Sequence, residues 1–450
     1  GDYNTANGYQ SLNNNSIGNY NTANGSWALY DNTEGNNNTA NGYNALSYNI
    51  IGSANTASGS YALYYNTAGS NTALGYESLR NNTDRGELVA VGYQALYNNG
   101  TGVWNDEMAK YNTAIGFQSL YTNTIGYANT ANGYKSLYSN TEGVANTANG
   151  YGALRDNTTG QSNTAVGYRA LIRNSVGACN NAIGSMALAS NTTGFYNTAN
   201  GFSALSFNET GNENTANGYN ALNLNGTGSY NTANGSNALY YNMTGHRNTA
   251  NGAYALYNNF YGNNNTANGY YTLYFNSTGS GNTANGYYAL ESNFSGNNNT
   301  ANGFFALHNN SLGSNNTACG SYALSRNTAG SNTAFGCEAL YNNTDRGELV
   351  AVGYQALYNN GTGASTNKHS TANTAVGFKS LYSNNIGRAN TANGYQALYN
   401  NTTGNNNTAD GNDALFTNST GNFNSAIGFK TLYSNISGNN NTGCGSYALI

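Results

Sequence analysis

One short sequence motif repeats along the whole chain, and its nearly constant period is the feature that most constrains the fold. Asn-Thr-Ala-Asn-Gly begins at Asn4, returns seventeen residues later at Asn21, and recurs, unchanged or in variant form, to give about 26 units up to the last one at Asn441. A constant period of this length is typical of proteins that stack one small unit, each unit contacting only its neighbours. The repeat therefore predicts one continuous array rather than the three or so globular domains that 450 residues would otherwise suggest.

Numbering each unit from the Asn of Asn-Thr-Ala shows which positions are constrained. Gly stands at position 5 and Leu at position 9 in every unit, position 8 is always small, and position 3 is Ala except at Gly443. Position 12 is Asn in every complete unit, and position 15 is almost always Gly. Small and polar residues alternate through Thr-Ala-Asn-Gly, which is the period of a strand, whereas two glycines per unit would cost a helix about 1 kcal/mol each.

The predicted fold class is therefore all-β: a parallel β-solenoid of about 26 coils with a 17-residue period, continuous over residues 1–450. Leu at position 9 and the small residues at positions 3 and 8 are the expected core. Positions 12 to 15 are expected to turn, with the Gly at positive φ. Position 6 is usually aromatic, and where it is small, position 7 usually carries a large side chain, as in Ser60-Tyr61. We therefore expect each coil to have one site for a large ring, located at a bend.

The recurring Asn at position 12 has two interpretations. One is a structural ladder of stacked amides that satisfies the backbone of the turn, as in cross-β assemblies. The other is N-glycosylation, because many units continue as Asn-x-Ser/Thr, although Asn32 and Asn66 keep the Asn without the acceptor residue. The candidate glycosylation residues are Asn99, Asn157, Asn191, Asn208, Asn225, Asn242, Asn276, Asn293, Asn360, Asn418 and Asn435.

Two irregular regions interrupt the period. The units at 88–111 and 349–372 carry long loops, and residues 81–102 are identical to 342–363, which makes a super-repeat of 261 residues. Around them position 4, normally Asn, becomes apolar, and contiguous apolar surface usually marks an interaction site. We interpret this as an outward strip covered either by the long loop or by another chain. The candidate assembly-contact residues are Leu74, Val91, Ile115, Phe335, Val352 and Val376.

No pattern in the sequence predicts catalysis, a metal or a cofactor. Asp84, Arg85 and Glu87 form the densest charge cluster, which recurs at 345–348, but no His or nucleophile recurs with it, so we interpret it as a local ion pair that shapes the turn. The four cysteines lack zinc-site spacing, and we expect small buried side chains, with a Cys319–Cys337 bridge as the alternative. The polar ladder is Asn rather than the Asp of calcium-binding repeats. We therefore expect a chain that is not an enzyme.

The composition excludes several classes of partner. Charged residues make up only 7% of the chain and the net charge is −4, against roughly 25% charged residues in typical soluble domains. Lys and Arg are scattered singly, so the basic stripe of a nucleic-acid-binding protein is missing. No stretch of eighteen apolar residues exists, so no membrane insertion is expected. The strict positional rules also argue against a disordered Asn-rich tract.

The unit Asn-Thr-Ala-x-Gly-Tyr-x-Ala-Leu resembles repeats in bacterial surface proteins and phage tail-fibre-like proteins. The variants at 112–116 and 373–377 also resemble, more distantly, the head repeats of trimeric autotransporter adhesins. The resemblance implies an extracellular fibre or stalk on a cell or virion surface. Its implied partners are copies of the same chain, as a filament or a trimer, together with covalent or bound glycans.

We therefore expect a structural subunit of an extracellular fibre or filament, assembled by stacking or lateral contact of solenoids. Two alternatives stay open. One is an adhesin or tail-fibre stalk that binds surface glycans through exposed tyrosines at position 10, such as Tyr30, Tyr97 and Tyr257. The other is an ice-binding solenoid whose flat outer face is formed by Thr at position 2 and Asn at position 4.

Overall fold

The computed structural model describes residues 1–101, 107–362 and 370–450. Within them the chain is all-β, every named element is a short strand, and no helix is formed. The chain divides into two compact units, residues 1–228 and 229–450. Each unit is a parallel β-solenoid with one strand per coil, which confirms the predicted fold class. Most of the predicted loop insertions, residues 103–106 and 364–369, lie outside the described residues.

The strands are three or four residues long and are named in chain order. The first unit contains β1 (Thr5–Asn7), β2 (Thr22–Asn24), β3 (Thr39–Asn41), β4 (Thr56–Ser58), β5 (Thr72–Leu74), β6 (Val89–Val91), β7 (Thr113–Ile115), β8 (Thr130–Asn132), β9 (Thr147–Asn149), β10 (Thr164–Val166), β11 (Asn181–Ile183), β12 (Thr198–Asn200) and β13 (Thr215–Asn217).

The second unit repeats this arrangement with β14 (Thr232–Asn234), β15 (Thr249–Asn251), β16 (Thr266–Asn268), β17 (Thr283–Asn285), β18 (Thr300–Asn302), β19 (Thr317–Cys319), β20 (Asn332–Phe335), β21 (Leu349–Val352), β22 (Thr374–Val376), β23 (Thr391–Asn393), β24 (Thr408–Asp410), β25 (Ser425–Ile427) and β26 (Thr442–Cys444).

Within each unit, every strand pairs in parallel and in register with the strand of the next coil. Ala23 of β2 lies between Ala6 of β1 and Ala40 of β3. The register survives the long coil, because Val91 of β6 still pairs with Ile115 of β7, 24 residues later in the chain. Side chains at the same position of successive coils therefore form continuous columns, and each column presents one chemistry to the core or to solvent.

The core of each coil is narrow and small. Ala182 at position 3, Ala187 at position 8 and Leu188 at position 9 are fully buried, and the same positions are buried in nearly every coil. Burying one Leu side chain contributes roughly 1.5–3 kcal/mol, so the leucine column is the main apolar contribution. The core predicted from positions 3, 8 and 9 is confirmed.

The prediction that the Gly at position 15 has a positive φ is wrong. Positive φ belongs to the Gly at position 5, as at Gly184 with a φ of 137°. Gly143 at position 15 is needed because the coils approach closely there. A Cβ on it would lie 2.5 Å from the carbonyl oxygen of Gly160 in the next coil and 2.3 Å from Oδ1 of Asn140.

The bends use left-handed backbone at residues that are not glycine. In one coil, Met186 at position 7 has a φ of 60° and Leu188 at position 9 has a φ of 51°, and the leucines of the other coils share this conformation. This conformation costs an L-residue about 1–2 kcal/mol. The Leu188 N–H donates to the carbonyl oxygen of Ala204 in the next coil at 3.0 Å, and burial of the side chain helps to offset the strain.

Substitution of a position-15 glycine tests the close approach of the coils. We expect Gly143→Ala to lower the free energy of unfolding by about 3 kcal/mol, because a backbone oxygen and a buried amide must move to admit the methyl group. The control is Gly152→Ala at position 7, where the nearest atom to an added Cβ is 3.6 Å away. That variant should lose only about 1 kcal/mol. Equal losses in guanidinium unfolding would contradict this explanation.

Candidate functional site

Two asparagine amides and one carbonyl oxygen close every coil except those that begin at Leu88 and Leu349. In the coil that begins at Asn146, the Nδ2 of that residue donates to the carbonyl oxygen of Gly160 at 2.8 Å. Asn157, at position 12, donates to the same oxygen at 3.1 Å and to Oδ1 of Asn140 in the preceding coil at 2.8 Å. All three asparagines are fully buried. Each coil is thus closed on itself and bonded to its neighbour by the same side chains.

The amide ladder predicted at position 12 is confirmed, but a second ladder at position 1 was missed. Oδ1 of Asn146 accepts a hydrogen bond from the backbone N–H of Asn163, the first residue of the next coil, at 3.0 Å. The signal was present in the sequence, since position 1 is Asn in every unit except those that begin at Leu88 and Leu349. Leu88 is buried, and of the ladder bonds it keeps only the one that its backbone N–H donates to Oδ1 of Asn71, at 3.1 Å.

The structure places the candidate glycosylation residues inside the ladder. Their Nδ2 atoms, which would carry the sugar, are already hydrogen-bond donors: Asn208 donates to Oδ1 of Asn191 at 2.8 Å and to the Gly211 carbonyl at 2.9 Å. Asn435 is half-buried. The fully buried residues are Asn99, Asn157, Asn191, Asn208, Asn225, Asn242, Asn276, Asn293, Asn360 and Asn418. Glycosylation stays a prediction, and this geometry counts against it.

The candidate assembly-contact residues of the first unit lie side by side on the outer face of the sheet. Leu74 pairs with Val91, and Val91 pairs with Ile115. Leu74 and Ile115 are 39% and 40% exposed, and Val91 is half-buried between them. These side chains point outward because position 4 alternates with the inward Ala of position 3. We call these three residues the first apolar strip.

The second unit carries an equivalent group, which we call the second apolar strip. Phe335 pairs with Val352, and Val352 pairs with Val376. Phe335 is 43% exposed, and the two valines are 37% exposed. The two strips are the largest apolar interruptions of the outward Asn column, and both lie beside the coils with long loops.

The recurring charge cluster is explained by those long coils. Arg85 occupies position 15, where nearly every other coil has Gly, yet its side chain is almost fully buried. The following coil is the long one, and Cγ of Arg85 lies beside Gly100, 2.9 Å from where a Cβ would stand. The guanidinium pairs with Asp84 at 3.3 Å, and Arg346 pairs with Asp345 at 2.8 Å. The predicted local ion pair is confirmed, and the longer coil makes room for it.

Aromatic rings form columns on the outer surface, but the prediction of one ring site per coil is wrong. Near residues 270–305, positions 6 and 7 both carry rings and build two adjacent columns, with ring centroids 5.6 Å apart between Tyr270 and Tyr287 and 5.2 Å apart between Tyr271 and Tyr288. Within one coil the rings of the two columns also contact each other, because the Tyr271 ring lies 4.5 Å from that of Tyr270 and 4.7 Å from that of Tyr274 at position 10.

The tyrosines at position 10 are less accessible than predicted. Tyr30, Tyr97 and Tyr257 are half-buried, because neighbouring rings pack against them. The column at position 6 is more exposed, with Tyr151 at 47% and Tyr219 at 54%. The surface tyrosines that a ligand could reach are therefore mainly those of position 6.

The cysteines are free thiols, and the expectation that they are buried is wrong. Cys179, Cys337 and Cys444 are exposed, and Cys319 is half-buried. Each stands at an outward position of its coil: position 17 for Cys179, position 6 for Cys337 and position 4 for the other two. The core positions 3, 8 and 9 contain no cysteine.

In the part of the chain that the structure describes, no group of three or more His, Cys, Asp or Glu side chains could hold a metal ion. The same residues include no helix that is long and apolar enough to cross a membrane. No protein-family model matches the chain, and no curated protein sequence is significantly similar to it.

Removing one ladder amide tests the closing interaction. Asn191 donates to Asn174 Oδ1 at 2.8 Å and accepts from Asn208 at 2.8 Å. We expect Asn191→Ala to lower the free energy of unfolding by about 1–3 kcal/mol, because buried polar atoms lose their partners. The control is Asn200→Ala, an exposed position-4 amide, which should change stability by less than about 0.5 kcal/mol. Similar effects of the two substitutions would contradict the role of the ladder.

The ring column at position 10 predicts sensitivity to alkaline pH. Tyr257 stacks between Tyr240 and Tyr274 at 5.2 and 5.0 Å, and burial raises its pKa to about 12. Because the folded chain holds this proton more tightly than the unfolded chain, the stabilisation is complete below about pH 10 and is lost as pH rises towards 12. Tyr257→Phe should therefore lose less stability than wild type on transfer to alkaline buffer, whereas exposed Tyr261→Phe should behave like wild type. Thermal unfolding of the three proteins, measured below about pH 10 and again near pH 12, gives this difference in stability.

Proposed function

We propose that the chain is a structural subunit of an extracellular fibre or filament, and that separate copies assemble through lateral contact of their outer sheet faces. The observation that carries this proposal is the pair of apolar strips. Each unit has one, at an equivalent place, on a face whose other position-4 residues are mostly Asn. A self-complementary contact between copies uses the same patch on both partners, and exposed apolar patches with polar surroundings mark such contacts.

A second copy suits the shape and chemistry of the strips. In-register strands make a regular face, and two such faces can pack about 10 Å apart with interdigitating side chains. The strips project branched and aromatic side chains beyond a background of amides, which suits them to interdigitation. The neighbouring amides would form the polar rim of such a contact.

The surface composition supports a role outside the cell. The chain has only 14 Lys and Arg residues, so trypsin-like proteases have few sites. Several of the lysines lie on rings, as Lys135 does over Tyr134 and Tyr138, with Nζ 5.5 and 5.2 Å from the ring centroids. Backbone groups are bonded to the next coil along each unit. A hydrogen-bonded solenoid with few tryptic sites is suited to a structural role, and the proposed role involves no catalysis.

The two alternative functions have weaker support from the geometry. Sugar binding by an adhesin needs accessible ring faces, but most rings here cover the faces of their neighbours, as Phe378 and Tyr395 do at 5.1 Å. Ice binding needs free polar groups on the flat face, but there the amides bond to one another, as Asn251 does to Asn268 at 2.8 Å. The fibre is therefore the proposal that we favour.

Replacing both strips by asparagine tests the proposed assembly. The variant carries L74N, V91N, I115N, F335N, V352N and V376N, and each change restores the usual position-4 residue, so folding should be retained. We expect the wild-type chain to form filaments or larger oligomers, seen by electron microscopy and sedimentation velocity, and the variant to stay as single chains with an unchanged circular dichroism spectrum.

A matched control makes the same substitution away from the long coils. V166N, I183N and I427N also replace outward position-4 residues, and assembly should persist in that variant. The proposal is overturned if wild-type chains stay single at high concentration, or if the six-residue variant assembles as well as wild type does.

A further inference from the structure

The position-10 column of the first unit is interrupted in a way that creates a cavity. Tyr97, Tyr121 and Tyr138 stack in successive coils, with ring centroids 5.1 and 5.3 Å apart. Further along the same column the side chains become small, with Ala189 and Ser206 standing where other coils carry a ring. The missing rings leave a cavity of about 280 Å³, just below the roughly 300–1,000 Å³ range of ligand pockets.

Three guanidinium groups line this cavity, together with hydroxyl groups. Arg155 comes from one coil, Arg169 and Arg173 come from the next, and Ser190 and Ser206 from the two coils that follow also line the cavity. The whole chain has only 14 Lys and Arg residues and a net charge of −4. A concentration of positive charge in one concave site therefore contrasts with the rest of the surface.

Two of the three positive charges are not neutralised by the protein. Arg155 is paired with Asp156 through two hydrogen bonds of 2.7 Å. Arg169 is exposed and its guanidinium lies on the Tyr168 ring, 5.0 Å from the centroid, and Arg173 is exposed. Among the described residues, no carboxylate lies within ion-pair distance of Arg169 or Arg173.

From this arrangement we propose that the cavity binds the oxyanion group of a small ligand, a carboxylate, sulfate or phosphate on a molecule no larger than about one monosaccharide. The planar guanidinium groups of Arg169 and Arg173 match oxyanion geometry and can each donate two hydrogen bonds. The hydroxyls of Ser190 and Ser206 supply further donors. Stacking on Tyr168 orients the Arg169 group before the ligand arrives, which lowers the entropic cost of binding. This site does not depend on the proposed assembly.

Binding is tested by calorimetric titration of the whole chain with sulfate, phosphate and D-glucuronate at low ionic strength. We expect saturable binding at millimolar concentrations that weakens as salt is added. The variant R169Q/R173Q should bind at least about tenfold more weakly, because charge-assisted hydrogen bonds are lost.

The control R326Q/R388Q removes the same charge from two exposed arginines of the second unit. Arg326 also lies over a ring, 5.0 Å from the centroid of Tyr341. Binding by this variant should stay near that of wild type.

A second variant fills the cavity without removing charge. Ala189→Tyr restores the residue that position 10 carries in many other coils, so folding should be unaffected and thermal stability equal or higher. This ring would occupy the cavity, and anion binding should be lost. Tighter binding of glucuronate than of sulfate would assign the site to acidic sugars, and equal binding would assign it to the oxyanion alone. The proposal is overturned if none of the three anions binds, or if R169Q/R173Q and Ala189→Tyr bind as wild type does.

Discussion

The convergence of two asparagine amides on the position-15 carbonyl oxygen is the interaction on which the rest of the structure depends. Asn146 and Asn157 both donate to Gly160, which closes the coil, and the same side chains bond to the neighbouring coils. The close approach that these bonds require leaves no space for a Cβ at position 15. In a core whose main large side chain is Leu, buried amides with full hydrogen bonding supply specificity that apolar packing alone would not.

Strict register converts single-residue changes into surface features. Because each position forms a column, three neighbouring substitutions at position 4 make an apolar strip, and small side chains at position 10 make a cavity. Arg85 illustrates the same coupling, since its large side chain at position 15 is accommodated beside the longer coil that follows. Functional differences in such a protein therefore lie in departures from the repeat, while the repeat itself maintains the scaffold.

Much of the fold could be predicted because strand periodicity and side-chain size are local properties. The inward Ala and Leu columns, the parallel stacking and the position-12 ladder follow from residues such as Ala182, Leu188 and Asn191. The position-1 ladder was equally visible in the sequence, but its Asn was interpreted only as the first residue of the repeat unit. The two ring columns could not be predicted, because the direction of a ring such as Tyr271 depends on a left-handed backbone angle that its residue type does not favour.

The sequence by itself determined the period, the all-β class, the identity of the core columns and the places where the columns are interrupted. These properties depend on which residues recur and at what spacing. Only the tertiary structure decided why Gly stands at position 15, that Leu188 adopts a left-handed conformation, and that the acceptor asparagines are buried. It also showed that Arg169 and Arg173 line one cavity with Ser206. Each of these outcomes depends on distances between neighbouring coils, which a one-dimensional pattern does not contain.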